Sequence, residues 1–347
     1  MLKKHRTRAR IVVLLLGTVV FYNEFLSYTF QSWFKWPSVS CDACVRILLV
    51  ADPQIIGERY ENLGPLARWD CDRYLTKTFR RAVSHADPHV VAFLGDIMDE
   101  GSIATKEEYK RYLDRFYNIF YVPLGIEVLY LPGDNDIGGE DDQITPEKLR
   151  RYEQSFRQTS SLSLKQVDIY QINRLTYSIP LVIDNRTHFL ENRTRVVLSH
   201  LPLLFLPNQY VNKVVKVLRP HVIFSAHDHK SLHTSVESDI FNKDQVFQTL
   251  MPENGPWWHF QLGRGIIHEV MVPTCSYRMG VPDMGYGVAV IDSASQRLAY
   301  TVLWLPSRFN QFAIYVGVLF VLCFFMLLLA ICCLRRFLCP PTRNCFV

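Results

Sequence analysis

The chain has 347 residues, 49% of them apolar and 20% charged, which excludes a disordered, highly charged tail protein and leaves enough apolar material for one large core or two modest ones. Lys and Arg number 38 against 33 Asp and Glu, a formal charge of +5. The excess is terminal, at Lys3, Lys4, Arg6, Arg8, Arg10, Arg335, Arg336 and Arg343; with Glu24 set aside the rest holds 30 cations against 32 acids, so a nucleic-acid surface is not indicated.

Residues 1–10 form a basic tail, and 11–34 read as a first transmembrane helix, an uncleaved signal anchor, because the apolar stretch is long and no small-x-small cleavage site follows cleanly. Asn23 and Glu24 interrupt it. A carboxylate within a span is costly, so Glu24 is expected near the far interface or facing the other helix. Residues 312–334 run for 23 positions without a charge, long enough at about 1.5 Å per residue to cover a hydrocarbon core of roughly 30 Å. A short tail, 335–347, follows. Cations on the outer flank of each span place both termini in the cytosol and leave 35–311 lumenal or extracellular. Two glycosylation sequons, at Asn185 and Asn192, fall in that segment. So do Cys41, Cys44, Cys71 and Cys275, four of nine cysteines, permitting up to two disulfides in three pairings. The final Phe346-Val347 has the form of a short export signal.

Between the spans, nearly continuous apolar runs at 46–50, 90–94, 127–131, 195–198 and 221–224 read as buried strands. Helical patterns alternate with them: apolar spacing over 73–84, a capping box at Thr105 opening 107–120, an N-cap at Thr145 with Pro146 after it, and Asn208 capping a helix that stops before Pro220. Later segments, 170–183, 268–272, 287–291 and 300–305, read as antiparallel β. The expectation is an α/β fold in which two sheets stack with helices outside and strand C-termini gather at one edge.

Those strands end, in order, in Asp52-Pro53-Gln54, Gly95-Asp96-Ile97-Met98-Asp99, Gly133-Asp134-Asn135-Asp136, Ser199-His200 and Ala226-His227-Asp228-His229. A single Asp after a strand is ordinary turn chemistry. Five loops with oxygen or imidazole donors, delivered to one place by one sheet architecture, point to metal binding instead. Other histidines, His188, His221 and His268, read as surface or satisfied core groups, and 256–260 reads equally as an aromatic rim or as packing.

This order of motifs resembles the calcineurin-like metallophosphoesterases, over roughly 46–305. The resemblance implies a four-layer α/β/β/α sandwich, flanked here by one transmembrane helix at each end, and two divalent metal ions that activate water for in-line attack on phosphorus without a phospho-enzyme. Carried over, Asp96 bridges; Asp52, Gln54 and His229 complete one site, and Asp134, His200 and His227 the other. Gln54 stands where the family most often has His, and Asp134 where it has Asn, which favours Mn²⁺ or Mg²⁺ over Zn²⁺. Asn135 stands where the family has the His that serves the leaving oxygen; Asn hydrogen-bonds but cannot protonate, so either a metal or another group, with Asp136, His233 or His259 as candidates, manages the leaving alkoxide, or the enzyme is slow. Arg278 is a candidate for pairing with substrate phosphate. Within the family the chain is similar to a membrane-bound branch that removes ethanolamine-phosphate from GPI anchors, implying a lumenal phosphodiesterase of the ER, ER-Golgi intermediate compartment or cis-Golgi with a membrane-tethered substrate. The alternatives are a phosphoesterase acting on another tethered glycan or lipid phosphodiester, and a phosphoesterase fold that binds without turnover.

Overall fold

The computed structural model describes residues 2–60, 64–156, 159–180, 193–237 and 246–338. Asn185, Asn192, His188 and Phe346-Val347 lie outside the described residues. Two compact units divide the chain, one formed by Met1–Thr29 with Pro306–Val347 and the other by Phe30–Leu305.

Among the described residues thirteen strands build the larger unit: β1 (Val45–Val50), β2 (Val90–Phe93), β3 (Glu127–Tyr130), β4 (Ser161–Leu164), β5 (Val167–Gln171), β6 (Thr194–Leu198), β7 (Val222–Ser225), β8 (Leu232–Val236), β9 (Val246–Thr249), β10 (Trp258–Gln261), β11 (Ile267–Met271), β12 (Gly285–Asp292) and β13 (Arg297–Trp304). One sheet has the order β10-β13-β12-β1-β2-β3, the other β4-β5-β6-β7-β11-β8-β9. β1, β2 and β3 are mutually parallel, as are β5, β6, β7 and β11. Their C-terminal loops therefore open on common edges.

Alternate residues of both sheets, among them Ile47, Leu49, Ala92, Val196, Leu198, Phe224 and Ala289, share one buried cluster, so the sheets face each other across a common core. Helix Gln209–Leu218 covers the other sheet's outer face through Val211, Val214 and Leu218 against Val197 and Ile223. On the first sheet's outer face Phe79 of helix Gly64–Ala86 and Phe116 of helix Lys106–Ile119 contact Phe93. Such aromatic contacts add to the area each ring buries.

The expected caps form. Thr105 accepts from the Glu108 amide while Glu108 returns to the Thr105 amide, Thr145 caps Pro146–Ser155, and Asn208 caps Gln209–Leu218. Three expectations need correction. The helix placed over 73–84 begins at Gly64, because its first two turns carry exposed Leu66 and Trp69 and show no apolar periodicity. The later segments are not uniformly antiparallel, since β11 lies parallel to β7 and β5 parallel to β6. Of 170–183, only the start is strand; β5 ends at Gln171 and 181–183 fall outside the described residues. Among the cysteines, Cys41 and Cys44 form a disulfide, and Cys71 and Cys275 are buried thiols.

Among the described residues two helical stretches are long and apolar enough to cross a bilayer, Arg10–Lys35, whose last residues belong to the larger unit, and Arg308–Cys332 in the smaller. The first opens into π turns at Tyr22–Leu26 and Gln31–Lys35; the second begins at Arg308, four residues before the expected 312. Asn23 and Glu24 sit in the first π turn and are buried. Arg308 and Tyr315 both hydrogen-bond Glu24 Oε1, at 3.0 and 2.8 Å, and Asn23 donates to the Gln311 carbonyl. Glu24 thus faces the other helix.

Candidate metal centre

Each donor enters the site from the loop that follows a parallel strand: Asp52 and Gln54 after β1, Asp96 after β2, Asp134 and Asn135 after β3, His200 after β6, His227 and His229 after β7. Oxygen and imidazole atoms of Asp52, Asp96 and His200 lie within 4.8 Å of one another, and so do those of Asp134, His200 and His227. His200 joins the two groups. Its Nε2 is 3.0 Å from Asp134 Oδ1 and 3.5 Å from Asp96 Oδ1. Its Nδ1 lies 2.8 Å from the Leu94 carbonyl and donates to it. That bond fixes the ring so that Nε2 faces the carboxylates; it donates to Asp134 when protonated and would offer its lone pair to a metal when not, the arrangement of a metal-ligating histidine.

Gln54 and His229 adjoin the cluster. The Gln54 amide nitrogen donates to Asp96 Oδ2 at 3.0 Å and lies 3.5 Å from His229 Nε2. Asn135 donates twice to Asp96, from its backbone to Oδ1 at 3.0 Å and from its side chain to Oδ2 at 2.8 Å. The His227 amide donates to the Asp52 carboxylate at 3.2 Å, tying the two ends of the ligand set together.

The charges show a surplus of anion. Burial pushes the Asp52 carboxyl up to about 8, the pull of His200 opposing and nearby Asp96 adding to it. Burial disfavours a charged His200, yet Asp96, Asp134 and Asp52 together push its imidazole up to about 10. Asp134 is also penalised by burial, but hydrogen bonds from His200 and His227 hold it well below the ordinary carboxylate range. Its bond to Asp134 raises His227, whereas burial lowers His229. Three converging carboxylates, with Asp52, His200 and His227 all raised, fit divalent cations, which would supply the missing positive charge.

Backbone geometry is specialised at the same residues. Asp52, Gln54, Asp96, His227 and His229 all have positive φ, five of eleven such non-glycine positions among the described residues. Gly95 (φ 102°) and Gly133 permit the loops to close: a Cβ on Gly95 would stand 2.5 Å from His200 Nδ1, and one on Gly133 would stand 2.0 Å from Asp96 Oδ1.

Each of the three candidate substitutes for a leaving-group acid has structural partners of its own. Asp136 is buried and accepts from the amides of Ile97, Met98 and Gly133 at 3.1, 3.0 and 2.9 Å; it braces two ligand loops. His233 is buried 3.2 Å from His268 and stacks on Phe260. His259 packs beside Trp257 on β10. Trp258 joins the sandwich core, which favours packing for that segment. His221 accepts from the Arg195 amide at 2.9 Å, a satisfied histidine as expected. Arg278 is exposed on the turn Tyr277–Met279, beyond Cys275, whose amide bonds the Ala51 carbonyl. Thr274, not singled out in the sequence, donates its hydroxyl to the Asp52 carbonyl at 2.8 Å. No motif marks it, because it holds backbone rather than ligand.

Among curated proteins the chain is similar to Metallophosphoesterase 1 homolog of Drosophila melanogaster, 28% identical over 171 residues, covering 47% of this chain and 45% of the relative. It is similar also to Metallophosphoesterase 1 of Danio rerio, 29% identical over 175 residues, covering 48% and 45%. Each alignment thus spans about half the length of the curated relative. Among solved structures, a metallophosphoesterase from Sphaerobacter thermophilus aligns at 12% identity and a TM-score of 0.39, over 76% of this chain and 90% of that one. Residues 45–231, more than half of the chain and spanning all the proposed metal ligands, match the family model for calcineurin-like phosphoesterases, and the chain belongs to that family.

Proposed function

We propose that the chain is a metal-dependent phosphodiesterase that removes the side-chain ethanolamine-phosphate from a mannose of GPI anchors. It would work on the lumenal face of early secretory membranes, between ER and cis-Golgi, and so support transport of GPI-anchored proteins. Both apolar helices would span the bilayer, with the termini cytosolic and 35–311 lumenal. The reaction class rests on one observation, the convergence of Asp52, Asp96, Asp134, His200 and His227. The substrate rests on resemblance to the membrane-bound branch.

Asp52, Gln54, Asp96 and His229 would hold one ion and Asp134, His200 and His227 the other, with Asp96 shared. Two divalent ions, most suitably Mn²⁺ for this oxygen-rich set, supply Lewis-acid charge and an activated water when bound. The chain's own groups prepare the site. Leu94 fixes the His200 ring, the loop glycines let Asp96 and His200 approach, and Asp136 locks the loops after β2 and β3 to each other. Asn135 can hydrogen-bond the leaving oxygen but has no proton to give. That observation favours the rival reading, a phosphate-ester binder without turnover.

Two arms test the proposal. The full-length protein should hydrolyse a generic phosphodiester in a Mn²⁺-dependent manner. Cells lacking it should accumulate GPI glycans that retain ethanolamine-phosphate, corrected by the native chain and not by Asp96→Asn. Hydrolysis unaffected by Asp96→Asn would sink the catalytic reading; unaltered GPI glycans alongside Mn²⁺-dependent hydrolysis would move the proposal to another tethered phosphodiester.

A further inference from the structure

The metal-site edge is also the edge where the chain leaves the globular unit. β12 runs antiparallel to β1 and β13 antiparallel to β12, so β13 runs the same way as β1 and ends where β1 ends. A backbone ladder crosses the sheet there: the Cys275 amide bonds Ala51, the Gly285 amide bonds Thr274, and the Leu305 amide bonds Met284. Leu305, the last residue of the unit, therefore stands about three strand spacings, or about 15 Å, from Ala51, the residue before Asp52. At the other end of the unit, Gln31 Nε2 and Trp36 Nε1 both donate to the Trp304 carbonyl, at 2.8 and 2.7 Å. Both chain exits thus meet at the edge that carries the ligand loops.

The segments that leave that edge carry exposed apolar side chains. Trp33 and Phe34 are 75% and 77% exposed beside the Trp304 anchorage. Tyr60, Leu66 and Trp69, 74%, 62% and 57% exposed, follow the Asp52 loop, and Leu206, 56% exposed, follows His200. Trp and Tyr partition to the boundary between headgroups and water.

We infer that the metal-site edge rests on the bilayer surface, so that the site takes phosphodiesters displayed within the first layer above the membrane, on a lipid headgroup or a lipid-linked glycan. This rests on the phosphodiesterase reading and on both helices spanning a membrane. The test uses the full chain in nanodiscs, with p-benzoylphenylalanine introduced at position 66 or, on the opposite edge ahead of β3, at position 124, where Leu124 is fully exposed. Irradiation should give lipid adducts at 66 several-fold above those at 124. Leu66→Ser with Trp69→Ser should lower Mn²⁺-dependent hydrolysis of a bilayer-embedded phosphodiester several-fold and leave a water-soluble one unchanged; activity confined to headgroup or to glycan substrates separates the two sources. Equal adducts, or none at 66, with hydrolysis intact would overturn this placement alone. Adducts at 66 without any hydrolysis would uphold the placement and remove the catalytic reading.

Discussion

A left-handed backbone at a side-chain-bearing residue costs on the order of 1–3 kcal/mol, a cost that persists where surrounding structure enforces it. Five proposed donors bear it together, and Gly95 and Gly133 remove the Cβ atoms that would block the closure. The strain is concentrated where donors must aim inward from successive strand ends. Asn135 is the residue at which the site departs most from its family's chemistry, both of its nitrogens being engaged with Asp96. Asn135→His would restore a proton donor. The expected outcome is a rise in kcat of up to about 10²-fold for alkoxide leaving groups, with little gain for nitrophenolate, which leaves without help. Steady-state kinetics on the paired substrates check this; equal gains on both would point to an effect on binding instead.

The ligand loops were legible because each chemistry-bearing residue ends an apolar run, and a buried parallel strand reads as such a run without needing its partner. Pairing was not legible. Apolar periodicity does not say that β11 inserts between β7 and β8, or that Cys41 pairs with Cys44 while Cys71 and Cys275 stay apart. The helix beginning at Gly64 hid its first turns because Leu66 and Trp69 face outward. Glu24 gave a clearer signal, since a carboxylate in an apolar helix requires a partner, though its partner Arg308 lay outside the expected second span. Both side chains are under a tenth exposed. Removing one member of such a pair strands a buried charge at a cost of about 3–5 kcal/mol. Arg308→Ala should therefore lower disulfide crosslinking between cysteines introduced on the two helices, and the exchange Glu24→Arg with Arg308→Glu should restore it. Full crosslinking in Arg308→Ala would refute the role of the pair.

Across the whole molecule, acid should act first through buried or half-buried neutral histidines away from the metal centre. Burial pushes His221 down to about 4, with Arg195 adding, and pushes His233 down to about 4 against His268, itself lowered by burial. Their folded values lie below the ordinary value of about 6.5, so the unfolded chain takes up protons first as pH falls. Their stabilisation is complete above about pH 6.5 and is lost toward pH 4. The metal-loaded protein should lose thermal stability over that window, and His221→Gln with His233→Gln should flatten the loss; an unchanged slope would contradict it. Paired cations held by side chains from five loops are the central requirement of the proposed chemistry. Its most direct test is the metal content of the purified full-length chain, titrated with Mn²⁺ by calorimetry alongside elemental analysis. The expected result is two Mn²⁺ bound per chain, with Asp96→Asn losing the pair while keeping its fold by circular dichroism. Absence of tight binding by the native chain, or identical binding by Asp96→Asn, would contradict it.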